Sequence, residues 1–274
     1  MGPRRLCYPV AVMARVLITG GTGVLGREVV ARLSRGDWTV RVLSRRAAPA
    51  EGGPAEWARA QIATGEGLAE AVAGVDVIVH CASSPFRRTR EVDVEGTRRL
   101  LERAREAGVA HFVYISIVGI DRIPLPYYKH KLAVERLIEE SGVPYSILRA
   151  PQFHSLVDQV MRNLLRFPVG LYPAGFKFQP IDPGEVAERL VQAVEAGPGG
   201  RLPDIAGPEV RGAGDVARAW LKARGKRRLL LPLPLFGKVA AGYRAGDNCA
   251  PDAKYGRVTW EEWLSRQYGA GPAA

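Results

Sequence analysis

The chain has 274 residues, 47% of them hydrophobic, and 39 lysines and arginines against 28 aspartates and glutamates give it a net charge of +11. That length and apolar content suit one globular domain, or one with a small appendage, and no run of about 18 apolar residues is present to cross a bilayer as a helix. Three scattered cysteines (Cys7, Cys81 and Cys249) and four histidines without metal-binding spacing argue against a disulfide framework or a zinc site, and a reducing cytoplasm fits them best.

Residues 1–13 hold basic and apolar side chains but no adequate hydrophobic region for a secretory signal; they are expected to be a loose tail or an artefact of start assignment, Met13 being a second start. Val16, Leu17 and Ile18 then read as a strand buried on both faces, and a helix begins near Val24. Between them Gly20, Gly23 and Gly26 can supply a tight turn, close backbone approach to a pyrophosphate and close packing of helix on sheet. The helix N-terminus would face a phosphate with free N–H groups and a favourable dipole.

Strands are expected at 38–44, 56–60, 76–80, 111–115 and 145–148, with helices at 67–73, 92–107 and 127–140 between the later ones. That alternation predicts an α/β fold, a doubly wound parallel sheet, over residues 14–150. From 151 to 274 the rhythm loosens. Helices at 183–195, 215–223 and 260–268 read as a portion that completes the sheet and forms a small C-terminal cap. The proline-broken run 229–236 is expected to be core strand and loop.

Basic clusters occur at Arg87, Arg88 and Arg90, at Arg98, Arg99, Arg103 and Arg105, and from Lys222 to Arg228. Without interleaved aromatics or a reading helix they look like solvated faces, and a nucleic-acid partner is not expected.

Several separated stretches agree with one family: Thr19-Gly-Gly-Thr-Gly-Val-Leu-Gly26, Asp76-Val-Ile-Val-His-Cys-Ala82, Val94-Glu-Gly-Thr-Arg-Arg-Leu-Leu101, Tyr114-Ile-Ser116 and Tyr127-x-x-x-Lys131. The chain resembles short-chain dehydrogenases/reductases, in particular the extended and atypical branch of NmrA-like NAD(P)H-binding proteins. Residues 145–153 and 178–186 also look like that branch. The resemblance implies a Rossmann core and cofactor contacts from Gly20, Thr22, Gly23, Val24, Leu25 and Gly26. Further contacts would come from Ser44, Arg45 and Arg46, from Gln61, from Cys81, Ala82 and Ser83, and from Lys131, Pro151 and Phe153.

NAD-preferring relatives carry an acidic residue after the second strand, where this chain reads Ser44-Arg45-Arg46. Guanidinium groups there can pair with a 2′-phosphate, so NADP(H) is the expected cofactor, with NAD left open. Gln61 stands where an Asp is common and offers an uncharged acceptor to adenine.

Tyr127 and Lys131, four apart on a helix, project on one face. By resemblance Tyr127 moves the substrate proton and Lys131 holds the nicotinamide ribose, its charge favouring the phenolate. Ser116 is the candidate substrate hydrogen-bond donor, although Ile117 and Val118 follow where a catalytic Ser or Thr is common, and its hydroxyl could bond the backbone instead. Tyr128 competes with Tyr127, and Asp93 replaces a common Asn.

These residues predict an NADP-dependent oxidoreductase acting on a carbonyl, hydroxyl or quinone, with a small-molecule substrate between the sheet edge and the cap. Ser83, Ser84 and Pro85 would form one side of its entrance, and Pro151, Gln152 and Phe153 the other. The alternative is a non-catalytic NADP(H) sensor with a protein partner. A nucleotide-sugar epimerase or dehydratase is less expected, since the cap shows no nucleotide-diphosphate clamp. No metal is expected.

Overall fold

The computed structural model describes residues 14–48, 53, 55–85 and 89–269, so the expectations for residues 1–13 and for Arg87 and Arg88 lie outside the described residues. In chain order the elements are β1 (Arg15–Thr19), α1 (Val24–Leu33), β2 (Thr39–Ser44), β3 (Glu56–Arg59), α2 (Leu68–Val72), β4 (Val77–His80), α3 (Gly96–Glu106), β5 (His111–Ile117), α4 (Pro126–Glu140) and β6 (Tyr145–Ala150). There follow α5 (His154–Leu164), β7 (Val169–Pro173), β8 (Lys177–Phe178), α6 (Pro183–Ala196), β9 (Gly200–Arg201), β10 (Arg211–Gly212), α7 (Ala213–Ala223), β11 (Leu229–Leu233), α8 (Lys238–Ala245) and α9 (Trp260–Tyr268).

One compact unit is drawn from Met1–Ser116, Pro126–Leu148 and Ala187–Leu202. Its seven-stranded sheet has the order β3-β2-β1-β4-β5-β6-β9, and β1 lies parallel to both neighbours, Leu17 opposite Arg41 and Ile78. This is the doubly wound Rossmann arrangement expected from the alternation of strands and helices. Leu17, Ile78 and Phe112 share a buried cluster with Leu100 of α3 and with Val134 and Ile138 of α4, while Val16 and Ile18 point to the opposite face by the period of the strand. Such burial removes each large side chain from water at a gain of about 1.5–3 kcal/mol.

The expected helix 92–107 is two segments. A π-helical turn, Arg90–Glu95, precedes α3 and holds Asp93 buried. The seventh strand, β9, is new; it is parallel to β6, with Ser146 opposite Gly200.

The other unit comprises Ile117–Leu125, Arg149–Val186 and Pro203–Ala274. Its helical core packs Val157 and Met161 of α5 on Val216 and Trp220 of α7 and on Trp260 and Leu264 of α9. Both indoles are satisfied: Trp220 Nε1 donates to Asp158 Oδ1 at 2.7 Å and Trp260 Nε1 to the Val216 carbonyl at 3.1 Å. A capping box of Thr259 and Glu262 starts α9.

The run 229–236 corrects an expectation. It contains a strand, but Leu229 is 61% and Phe236 87% exposed, so it is not core. Among the described residues the β7–β11 ribbon has two strands, and Val169, Leu171, Leu229 and Leu231 on one of its faces are exposed.

Candidate functional site

The glycine loop is built by steric exclusion. Gly20 has φ +68°, and a Cβ there would sit 2.7 Å from the Ala82 nitrogen; at Gly26 a Cβ would sit 2.1 Å from the Gly20 carbonyl oxygen. Only glycine fits either position. The Gly23 N–H donates to the Gly20 carbonyl at 2.8 Å and closes the turn. Gly23 then caps α1 without any side-chain hydrogen bond, and the first turn of the helix has no acidic residue. Thr22, Gly23 and Val24 are exposed and Leu25 is buried, so the first N–H groups of α1 meet no competing side chain and suit a pyrophosphate.

The sheet order puts β1 between β2 and β4, which brings three loops to the same carboxyl edge. After β2, the buried Ser44 hydroxyl accepts from the Arg46 N–H at 3.0 Å, and Trp57 Nε1 donates to the Arg46 carbonyl at 2.8 Å. The backbone of this loop is therefore held while the Arg45 and Arg46 side chains stay exposed. Gln61, half-buried after β3, accepts from the N–H groups of Thr64 and Gly65 through its carbonyl, which closes a tight loop.

After β4, the Ala82 N–H donates to Thr19 Oγ1 at 3.2 Å, and Thr19 Oγ1 meets His80 Nδ1 at 2.6 Å. His80 Nε2 lies 2.9 Å from Thr97 Oγ1, whose own proton goes to the Asp93 carbonyl. Since Thr97 has spent its proton, His80 must donate from Nε2 and accept at Nδ1. Burial pushes its pKa down to about 3, so the ring is neutral and braces the glycine loop against the turn that carries Asp93.

That turn delivers a carboxylate to the candidate acid. Asp93 accepts from the Ser83 hydroxyl at 2.6 Å and from the Ser84 N–H at 2.8 Å, and Ser83 Oγ is also 2.7 Å from Tyr127 OH. Ser83 gives its one proton to Asp93, so Tyr127 donates to Ser83. Burial pushes the Tyr127 phenol up to about 12; the Ser83 bond opposes that rise, and the Asp93 charge adds to it. This direction is opposite to the phenolate expected from Lys131.

Lys131 is itself buried, donates to the Ile115 carbonyl at 2.7 Å and lies 4.1 Å from the centre of the Tyr114 ring. Burial lowers its pKa to about 8, against the opposing pull of Asp93, Glu135 and Cys81. Tyr128 is 4% exposed, whereas Tyr127 is half-buried and reaches Ser83. Ser116 Oγ is buried, and among the described residues it has no hydrogen-bond partner, so it does not bond the backbone. Cys81 is half-buried, with burial pushing its thiol up to about 12.

Pro151 and Phe153 belong to the other unit, where Phe153 bridges to Ile181 and the Gln152 carbonyl accepts from the Ile181 N–H at 3.1 Å. The structure thus gathers the glycine loop, Ser44–Arg46 and the Ser83–Tyr127 pair on one unit. Among the described residues no group of His, Cys, Asp or Glu could hold a metal, and no helix is long and apolar enough to cross a membrane. The contributions of Thr19, His80 and Thr97 were not visible from the sequence. For Asp93 the one signal was its departure from Asn.

Residues 20–166 match the family described as NAD(P)H-binding. Among curated proteins, the chain is 30% identical over 162 residues to the Photosystem II assembly factor Ycf39 of Trieres chinensis, covering 54% of this chain and 50% of that protein. It is 30% identical over 207 residues to the (4-alkanoyl-5-oxo-2,5-dihydrofuran-3-yl)methyl phosphate reductase of Streptomyces griseus, covering 71% of this chain and 68% of that one. The chain therefore spans about half the length of the first of these relatives. The structure of an NADPH-dependent quinone oxidoreductase from Escherichia coli complexed with NADPH superimposes with a TM-score of 0.78 at 20% identity, over 92% of this chain and 99% of that one, a likeness of fold.

Proposed function

Because the chain belongs to the family described as NAD(P)H-binding, we propose that it is an NADPH-dependent reductase in which Tyr127 gives a proton to a carbonyl or quinone oxygen. The observation that carries this reading is the Tyr127–Ser83–Asp93 chain. A reductase needs a protonated acid at the substrate oxygen, and a phenol held near 12 beside a carboxylate is protonated throughout the physiological range.

The uncapped start of α1 fits a pyrophosphate, and the exposed Arg45 and Arg46 on a braced loop fit a 2′-phosphate. When bound, the cofactor supplies hydride to the substrate carbon. Tyr127 supplies the proton, Ser83 holds the phenol in place, and Asp93 opposes its ionisation. Lys131, one turn along α4, keeps a positive charge close to the site, and Ser116, whose buried hydroxyl has no partner among the described residues, is the proposed substrate hydrogen-bond donor. Gln61, Cys81 and Ala82 complete the proposed cofactor contacts of the first unit.

The sensor alternative draws support from one observation, the engagement of Lys131 by the Ile115 carbonyl and the Tyr114 ring. It would take over if a broad panel of carbonyls and quinones gave no NADPH oxidation while NADPH and NADP⁺ changed protease sensitivity differently.

Calorimetric titration tests the cofactor assignment. NADPH is expected to bind more tightly than NADH, and replacing Arg45 and Arg46 together with Ala should remove most of that difference, about 1.5–3 kcal/mol for lost charge-assisted contacts. Equal affinity of the unmodified protein for the two cofactors would refute it.

A further inference from the structure

The β7–β11 ribbon pairs in parallel, with Leu229 opposite Val169 and Leu231 opposite Leu171. Paired residues share a face in such a ladder, and the face alternates along each strand. Gly170 is buried, and Leu230 packs on the Trp220 and Trp260 core, so that face is covered. The opposite one is not: Val169, Leu171, Leu229 and Leu231 are 44%, 41%, 61% and 43% exposed. Phe167 before β7 and Phe236 beyond β11 extend the apolar surface, at 58% and 87% exposed. A contiguous apolar surface of this kind on a folded chain marks a place of binding.

Charge identifies what it binds. The stretches 166–173 and 226–238, which form the ribbon and its ends, contain Arg166 and Lys226, Arg227, Arg228 and Lys238 respectively and no aspartate or glutamate. Parallel pairing sets residues 166–168 and 226–228 at the same end of the ribbon, so Arg166, Lys226 and Arg227 cluster there, all exposed. The Arg166 guanidinium lies 4.5 Å from the Phe167 ring centre, an apolar body with a charged tip. At the other end Lys238 follows Phe236.

A second copy of the chain would bring like charges together over this face, and a nucleic acid would leave the leucines against a polyanion. An apolar layer beneath an anionic one satisfies both features at once. We propose that the β7–β11 face docks the protein peripherally on an anionic phospholipid bilayer, with Phe236 and the ribbon leucines entering the head-group boundary and Arg166, Lys226, Arg227 and Lys238 pairing with lipid phosphates. The proposal concerns the second unit alone and is independent of the reductase reading.

Co-sedimentation of the full chain with vesicles of phosphatidylcholine, with and without phosphatidylglycerol, tests it. The protein should pellet with the anionic vesicles, remain in solution with the neutral ones, and dissociate as salt is raised. Two double variants, Leu231→Ser with Phe236→Ser and Lys226→Ala with Arg227→Ala, alter exposed side chains and should keep the unmodified thermal midpoint. Each should weaken vesicle binding about tenfold or more. Three outcomes would overturn the proposal: no binding to anionic vesicles, binding untouched by the apolar variant, or a dimer in sedimentation equilibrium that the apolar variant dissociates, which would assign the face to a second copy.

Discussion

At Tyr127 the decisive neighbour is a carboxylate two hydrogen bonds away. Asp93→Asn keeps an acceptor for Ser83 and removes the charge, so phenol ionisation becomes less costly and the Tyr127 pKa moves down from about 12. In the pH profile of kcat/KM for reduction, the high-pH fall should therefore shift to lower pH, with little change near neutrality. An unmoved limb would separate Asp93 from the acid. The Tyr127–Lys131 pair was legible in the sequence because i, i+4 spacing on a helix is a local fact. Asp93 and His80 were not, since their meaning lies in partners distant along the chain: Ser83 and Tyr127 for the one, Thr19 and Thr97 for the other.

At the scale of elements, the β1–loop–α1 unit depends on two contacts that admit no side chain and one that does. Gly26→Ala would drive a methyl group against the Gly20 carbonyl, and neither backbone can yield cheaply. A loss of roughly 2 kcal/mol or more and a fall of several degrees in thermal midpoint are expected, with weaker NADPH binding. Gly23, with φ −78° and its nearest obstacle at 3.2 Å, should accept Ala with little change in midpoint. Equal tolerance at the two positions would contradict this steric reading. The strands and helices of the Rossmann alternation were legible because their apolar runs are long and periodic. The helix α5 was not, because its inner face carries His154 and Asp158, buried polar residues that bond to the Val258 carbonyl and the Trp220 indole and are indistinguishable in sequence from a solvent face. Gly200 and Arg201 of β9 give no apolar signal at all, and the leucines of β11 signalled a strand but not which face would be covered.

For the whole molecule, three buried histidines govern stability in acid. Burial holds His80 near 3 and His111 and His154 near 4, all below the ordinary value of about 6.5. The unfolded chain takes up these protons first, so their contribution to stability is complete above about pH 6.5 and is lost as pH falls towards 4 and below. A loss of several kcal/mol in all is expected across that window, seen as a steep drop in thermal midpoint. His111→Asn, which retains a donor and an acceptor near Ser146, should make that drop shallower. A midpoint independent of pH between 6.5 and 4 would show that these rings carry their protons in the fold.

In the proposed reductase, cofactor binding and proton delivery fall to different residues of the first unit, and Tyr127→Phe is the variant that separates them. The measurement is NADPH oxidation with a carbonyl and quinone panel, alongside NADPH affinity, for the unmodified protein and this variant. Affinity should be preserved while kcat falls by roughly 10²–10⁴-fold, the scale of losing a positioned acid. Undiminished turnover in Tyr127→Phe, with loss in Tyr128→Phe instead, would contradict the assignment of Tyr127 as the proton donor.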